Sequence, residues 1–179
     1  VQNSNATVAL TGIGFADTLP AGLVVATPNG LTSTCGGTAT ATAGSNAVSL
    51  SGGTVAASAS CTMSINVTGI AAGDQNNPPG NVTSNNGGNG NAGSASIPVV
   101  VPPTIAKSFS PISLFAGGQT TLTFTLTNPA ANTVALTGIG FTDILPVGLG
   151  VATTSGPVCG GTLTTTGPTS VVLTGATIA

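Results

Sequence analysis

Apolar and polar side chains alternate along much of this chain, with the two-residue period of strands that bury one face. The clearest case is residues 120–127, TTLTFTLT. There Leu122, Phe124 and Leu126 share one face and Thr121, Thr123, Thr125 and Thr127 the other. Ala116, Gly117 and Gly118 just ahead of it read as a turn. Residues 61–67 repeat the pattern and point Cys61, Met63, Ile65 and Val67 inward. Ile97, Val99 and Val101 form a third alternating set, and residues 46–50 and 53–57 read as two short strands. No helical period is visible. The Asn- and Gly-rich stretch 73–93, with Pro78 and Pro79, reads as a long, partly ordered loop or loose hairpin around Val82, or as a disordered spacer.

A second, longer period overlies the first. Residues 8–22 read VALTGIGFADTLPAG and residues 134–148 read VALTGIGFTDILPVG, an offset of 126 positions. Residues 23–27 (LVVAT) answer 149–153 (LGVAT) at the same offset. Cys35 then answers Cys159 at 124, and LSGGTVA at 50–56 answers LTGATIA at 173–179 at 123. The lost positions fall in turn-like text, where deletions cost little. In this frame Val1 is the equivalent of Thr127 and Ala179 the equivalent of Ala56. The expected domains are residues 1–101, lacking first strands, and residues 104–179, lacking last strands, with Pro102 and Pro103 as the junction. Two readings stay open: a segment of a longer tandem array, or domains finished by neighbouring copies through strand donation. Many short strands, frequent turn signals and a unit of about 125 residues predict an all-β fold of tandem β-sandwich domains.

Composition removes most chemistry. The 179 residues carry a net charge of -2, with Lys107 the sole basic side chain and Asp17, Asp74 and Asp143 the acidic ones; Arg, Glu, His, Trp and Tyr are absent. General acid–base catalysis, zinc binding and nucleic-acid binding each need groups this inventory lacks. The chain is therefore expected to be no enzyme, and to bind neither cofactor nor metal. No apolar run reaches 18 residues, so no transmembrane helix is expected. With 40% hydrophobic residues and a mean hydropathy of +0.50, the chain is unlike a disordered one.

The cysteines follow the repeat. Cys35 and Cys61 lie 26 residues apart in the first copy, and Cys159 is the equivalent of Cys35. The expectation is a Cys35–Cys61 disulfide formed in an oxidising compartment, and an orphan Cys159 whose partner position falls beyond residue 179. Buried free thiols are the alternative.

Several ordered motifs point further. Lys107 to Pro111 (KSFSP), Gly117 and Gly118, Leu122 to Asn128 (LTFTLTN), Phe141 to Pro146 (FTDILP) and Cys159 to Gly161 occur in that order. The first copy adds FADTLPAGL at 15–23, AASASC at 56–61 and NAGSASI at 91–97. The chain resembles the tandem immunoglobulin-like repeat domains of unknown function found in long bacterial extracellular and cell-surface proteins. The resemblance implies immunoglobulin-like sandwiches, an exported protein at or outside the cell surface, and a stalk, adhesin or matrix role. It supplies no catalytic residues.

Particular residues carry narrower expectations. Asp17 and Asp143 occupy one repeat position, and each is expected to cap a turn through nearby backbone amides. Lys107, Asn128 and Asp143 are the residue types of an isopeptide cross-link, against the plainer reading of Lys107 as a solvated strand-start residue. Asn5, Asn66 and Asn81 each open an N-x-Thr acceptor for surface glycans. The uncharged Thr, Ser and Asn rows lack the charges that normally block edge-to-edge pairing of sheets. Copies of the chain itself are thus the expected partners, in tandem or head to tail. The function read from this is an extracellular filament or surface array, or alternatively the stalk of an adhesin whose binding head lies elsewhere.

Overall fold

A computed structural model describes residues 1–152 and 158–179, and the repeat match at Thr153 lies outside them. The described residues form strands and turns with no helix, in two compact units, Val1–Val99 and Val100–Ala179. The change-over falls just ahead of Pro102 and Pro103. Val101 belongs to the second unit because Asn132 brackets its backbone: Val101 N–H donates to Asn132 Oδ1 (2.7 Å), and Asn132 Nδ2 donates to Val101 O (2.9 Å).

The first unit contains β1 (Leu10–Thr18), β2 (Leu23–Val25), β3 (Thr32–Ser33), β4 (Thr38–Ala41), β5 (Ala47–Val55), β6 (Met63–Ser64), β7 (Val67–Gly69), β8 (Gly73–Ser84) and β9 (Gly88–Val99). They make an antiparallel sheet in the order β4-β5-β1-β8-β9 and two small pairs, β2 with β7 and β3 with β6. The second unit contains β10 (Thr104–Ser110), β11 (Thr121–Thr127), β12 (Leu136–Ile144), β13 (Thr162–Thr166) and β14 (Ser170–Ile178). Here β10 pairs with β11 alone, and β14 lies between β12 and β13.

The repeat in the sequence is a repeat in the backbone. The β1–β5 ladder slips its register on either side of Ile13, with Gly12 (φ 62°) and Gly52 (φ 68°) in left-handed conformations. The β12–β14 ladder slips on either side of Ile139, with Gly138 and Gly175 both at φ 68°. Glycine takes that conformation without the Cβ penalty, so paired glycines let both ladders bulge at equivalent points.

Three sequence expectations are corrected here. Residues 46–50 and 53–57 are one strand, β5, running through the Gly52 bulge. The inward set 61–67 holds only to Ile65. After Ser64 the strand breaks, Asn66 N–H turns to Asn29 O (2.8 Å), and Val67 is exposed in the short β2–β7 pair. Ile97 and Val101 are likewise exposed, Ile97 because it lies on β9, the outer strand of its sheet. Of the readings of residues 73–93, the hairpin around Val82 is the one the structure shows, paired along its length where a loose one was expected, and the spacer is not. Those residues lie in the long β8–β9 hairpin, turned at Asn85, Asn86 and Gly87.

Its composition has a physical reason. Asn85 N–H donates to Thr11 O (2.9 Å), Asn86 Nδ2 donates to Ala9 O (2.8 Å), and Thr11 N–H donates to Asn86 Oδ1 (3.1 Å). A Cβ on Gly80 would sit 2.9 Å from Ala16 O. The Asn86 side chain and the Asn85 backbone thus bind the start of β1, and the glycine lets β8 approach it.

The core of the first unit is two clusters. One joins Ile13, Cys35, Leu50, Val55 and Cys61; the other joins Leu19, Leu23, Val25, Ala41 and Val48. In the second unit Ile139, Leu173 and Ala176 form the buried cluster, with Leu126 of β11 packed against it. β11 shows the expected alternation, with Leu122, Phe124 and Leu126 half-buried between exposed threonines.

Adjacent glycines after Cys35 give a discriminating test. Gly36 and Gly37 have φ values of 64° and 66°, but a Cβ on Gly36 meets open space, whereas one on Gly37 would collide with Ser51 O and Gly52 C. Gly36→Ala should cost about 1 kcal/mol from the left-handed backbone alone. Gly37→Ala should cost visibly more, about 3 kcal/mol, because rigid backbone must also move. Chemical denaturation of the two variants checks the order.

Candidate functional site

The buried polar groups are few, and most hold the chain together. Asn3 is 1% exposed. Its Nδ2 donates to Val8 O (2.8 Å), Val55 O (3.3 Å) and Ala56 O (3.0 Å), while Oδ1 accepts from Asn5 N (3.1 Å) and Asn5 Nδ2 (2.8 Å). It ties the lead-in to β1 onto the end of β5. Sequence reasoning missed it, since an Asn beside two others in polar text carries no burial signal. Asn3→Ala should cost about 2 kcal/mol by leaving buried carbonyls unpaired, read as a lowered denaturation midpoint.

Asn128 does the same work in the second unit. Its Nδ2 donates to Val134 O (3.1 Å), the equivalent of Val8 O, and its Oδ1 accepts from Asn132 Nδ2 (2.7 Å). The proposed cross-linking trio is therefore not assembled. Lys107 faces Phe124 across the β10–β11 ladder, and Asn128 lies beyond Thr127, about 13 Å along the strand.

Lys107 is instead held at Asp143. Its Nζ lies 2.6 Å from Asp143 Oδ1 and 5.6 Å from the centroid of the Phe124 ring, which packs on Phe141 at 4.7 Å between centroids. Asp17, at the same repeat position, accepts from Asn77 Nδ2 of β8 (2.7 Å). The expected capping role of these carboxylates is thus corrected. The turns that follow close through backbone bonds, Leu23 N to Pro20 O (2.9 Å) and Leu149 N to Pro146 O (3.1 Å), and each Asp receives a side chain from another strand. Among the described residues, Asp143 Oδ2 and Asn77 Oδ1 are buried at these positions without a hydrogen-bond partner.

Cys35 and Cys61 form a disulfide with a Cα–Cα separation of 4.9 Å, inside the first core cluster. Cys159 is a free, exposed thiol. Its backbone keeps the repeat geometry: Thr177 N–H donates to Cys159 O (2.8 Å), as Thr54 N–H does to Cys35 O (2.8 Å).

Equivalent apolar residues meet different fates in the two units. Leu19, Leu23, Val25 and Val48 are buried beneath Met63, Ile65 and Val99. Their equivalents Leu145, Leu149, Val151 and Val171 line a cleft of about 1140 Å³, with Phe109, Leu114 and Phe115 on its other wall. The first unit has a smaller cavity of about 350 Å³, beside Val1, Leu10, Ile13 and Val82. In the second unit the cluster formed by the equivalents of Leu10 and Ile13 is packed by Leu126.

Asn5, Asn66 and Asn81 are all exposed, though the Asn5 amide is engaged by Asn3. Among the described residues no three His, Cys, Asp or Glu gather as metal ligands, and no helix is long and apolar enough to cross a membrane.

A family model described as a domain of unknown function, DUF7933, matches residues 1–99 and again residues 103–179. No curated protein and no solved structure matches the chain.

Proposed function

The chain belongs to the DUF7933 family, and from that premise we propose that it is a structural repeat of a secreted bacterial surface protein that builds an extracellular filament or surface array. In this reading each unit is an immunoglobulin-like β-sandwich of a tandem array, its period of about 125 residues set by the sequence repeat. Copies of the chain are its partners, and it performs no catalysis, since its side chains lack the acids, bases and nucleophile pairs that catalysis uses.

The observation that supports association most directly is the uncharged outer strands: β4 (TATA) and β13 (TLTTT) carry no charge to repel a neighbouring edge.

Electron microscopy of native surface material, labelled with antibody against this chain, tests the reading. Regular fibres with an axial repeat of one unit are expected. Isolated flexible stalks with distinct tips would overturn it in favour of the adhesin stalk.

A further inference from the structure

Three asparagines are each followed by glycine: Asn29, Asn86 and Asn89. Such a pair deamidates readily, because a glycine without Cβ lets its own backbone nitrogen reach the carbonyl carbon of the preceding side chain. Each glycine has a packing reason to be there. A Cβ on Gly30 would collide with Asn66 Nδ2, one on Gly87 would lie 2.7 Å from Leu10 Cδ2, and one on Gly90 would lie 2.6 Å from Val82 Cγ1. The fold thus demands all three reactive pairs, and what separates them is how each amide is held.

Two of the amides are held at both ends. Asn29 Nδ2 donates to Ala41 O (2.7 Å), and its Oδ1 accepts from Leu31 N–H (3.2 Å). Asn86 Nδ2 donates to Ala9 O (2.8 Å), and its Oδ1 accepts from Thr11 N–H (3.1 Å). Asn89 is exposed, and its side chain forms no hydrogen bond among the described residues.

The place of Asn89 in β9 adds to this. It stands opposite Thr83, with one pair, Ser84 and Gly88, between it and the turn. On its other side the ladder slips: Gly90 and Asn91 together stand opposite Val82, which packs on the first core cluster. Asn89 therefore projects from the face away from that cluster. Only the hairpin tip has to open for the Gly90 nitrogen to reach Asn89 Cγ.

We propose that Asn89 is a site of spontaneous deamidation in the folded chain, and that Asn29 and Asn86 are protected by the hydrogen bonds of their amides.

The step balances with water as the co-reactant. The Gly90 amide nitrogen attacks Asn89 Cγ; the N–Cγ bond forms, the Cγ–Nδ2 bond breaks, and the Gly90 proton leaves with Nδ2 as ammonia. Water then opens the cyclic imide. Opening at Cγ gives aspartate; opening at the main-chain carbonyl gives isoaspartate, whose backbone runs through Cβ and Cγ. Nothing is oxidised or reduced. Either product puts a carboxylate on β9, which has no charged residue, in a chain of net charge -2. Isoaspartate also lengthens the main chain by one carbon where the register already slips, so it loosens the pairing of Gly90 and Asn91 with Val82.

The test follows the full chain, with Cys159→Ser to remove thiol coupling, through incubation in warm, mildly alkaline buffer. Peptide mapping by mass spectrometry, with fragmentation that separates aspartate from isoaspartate, reads all three sites in each sample. Asn89 is expected to convert at least about tenfold faster than Asn29 or Asn86, whose two bonds must break before the side chain can turn to its glycine. In denaturant the three should convert at similar rates. Asn89→Gln, whose longer side chain closes the ring far more slowly, should remove the fast conversion.

Asn29 or Asn86 converting as fast as Asn89 in the folded chain overturns the proposal. So does the same order of rates in denaturant, since local sequence and not the fold would then set it. The aged chain should also show faster amide exchange at residues 90–92 than Asn89→Gln chain aged beside it. Equal exchange in the two would overturn the loosening of the ladder while the site itself stands. None of these outcomes bears on self-association, so the filament reading stands or falls separately.

Discussion

Replacing Cys35 and Cys61 together by alanine is expected to destabilise the Val1–Val99 unit by about 4 kcal/mol. The disulfide closes a loop of 26 residues, and the loop entropy it removes from the unfolded chain is worth about 3.5 kcal/mol at 25 °C. Loss of the buried sulfur contacts adds to this, because the two side chains are only 1% and 4% exposed and lie among Ile13, Leu50 and Val55. In a unit of this size such a change lowers the melting temperature by about 20 °C. Calorimetry with and without reductant checks it, using Cys159→Ser throughout. The unit Val100–Ala179 contains no disulfide, so its transition should not move with reductant. A first-unit transition equally insensitive to reductant would show that the bond braces nothing.

That disulfide was legible because three independent signals agreed. The two cysteines fell in one repeat copy, Cys61 lay on the inward face of an alternating run, and the third cysteine was explained by the frame. The strand β11 was legible for a simpler reason: threonine on one side and large apolar residues on the other leave only one period to read.

The β8–β9 hairpin was only partly legible, as one of several readings, since neither of its faces is a plain apolar stripe. It is held by the Asn86 side-chain amide on the backbone leading into β1 and by glycines that let the strands approach, and those features look like loop text when read along the chain. The Asp17 site was half legible. The repeat marked Asp17 and Asp143 as one position, and Lys107 as the only cation. Asn77 was not marked, because nothing in linear sequence says that it crosses over to β1 while Asn128 ties down its own lead-in loop.

Truncating the same isoleucine in the two units should give unequal losses, and the inequality measures how well each core is closed. Ile13→Ala is expected to cost about 4 kcal/mol and Ile139→Ala about 2.5 kcal/mol, both within the usual range for buried isoleucine. The difference comes from how far neighbours can relax into the space left behind. Ile13 is fully buried, and it is fixed between two register slips of β1. A Cβ on Gly53 opposite would lie only 3.3 Å from the Ile13 Cβ, and the Cys35–Cys61 bridge sits in the same cluster. A cross-linked wall cannot collapse, so most of the cavity persists.

Ile139 is 9% exposed, its cluster contains no disulfide, and the side chain of Leu126 reaches it from a hairpin paired to nothing else in the unit. Such a hairpin can settle inward and recover part of the lost contact. Amide hydrogen exchange reads both variants in one experiment: protection of β5 should fall more in Ile13→Ala than protection of β14 falls in Ile139→Ala. Combining Ile13→Ala with loss of the disulfide should then cost less than the sum of the two, because a wall freed of its cross-link can move into the cavity. Strict additivity would mean that the bridge does not stiffen the packing around Ile13.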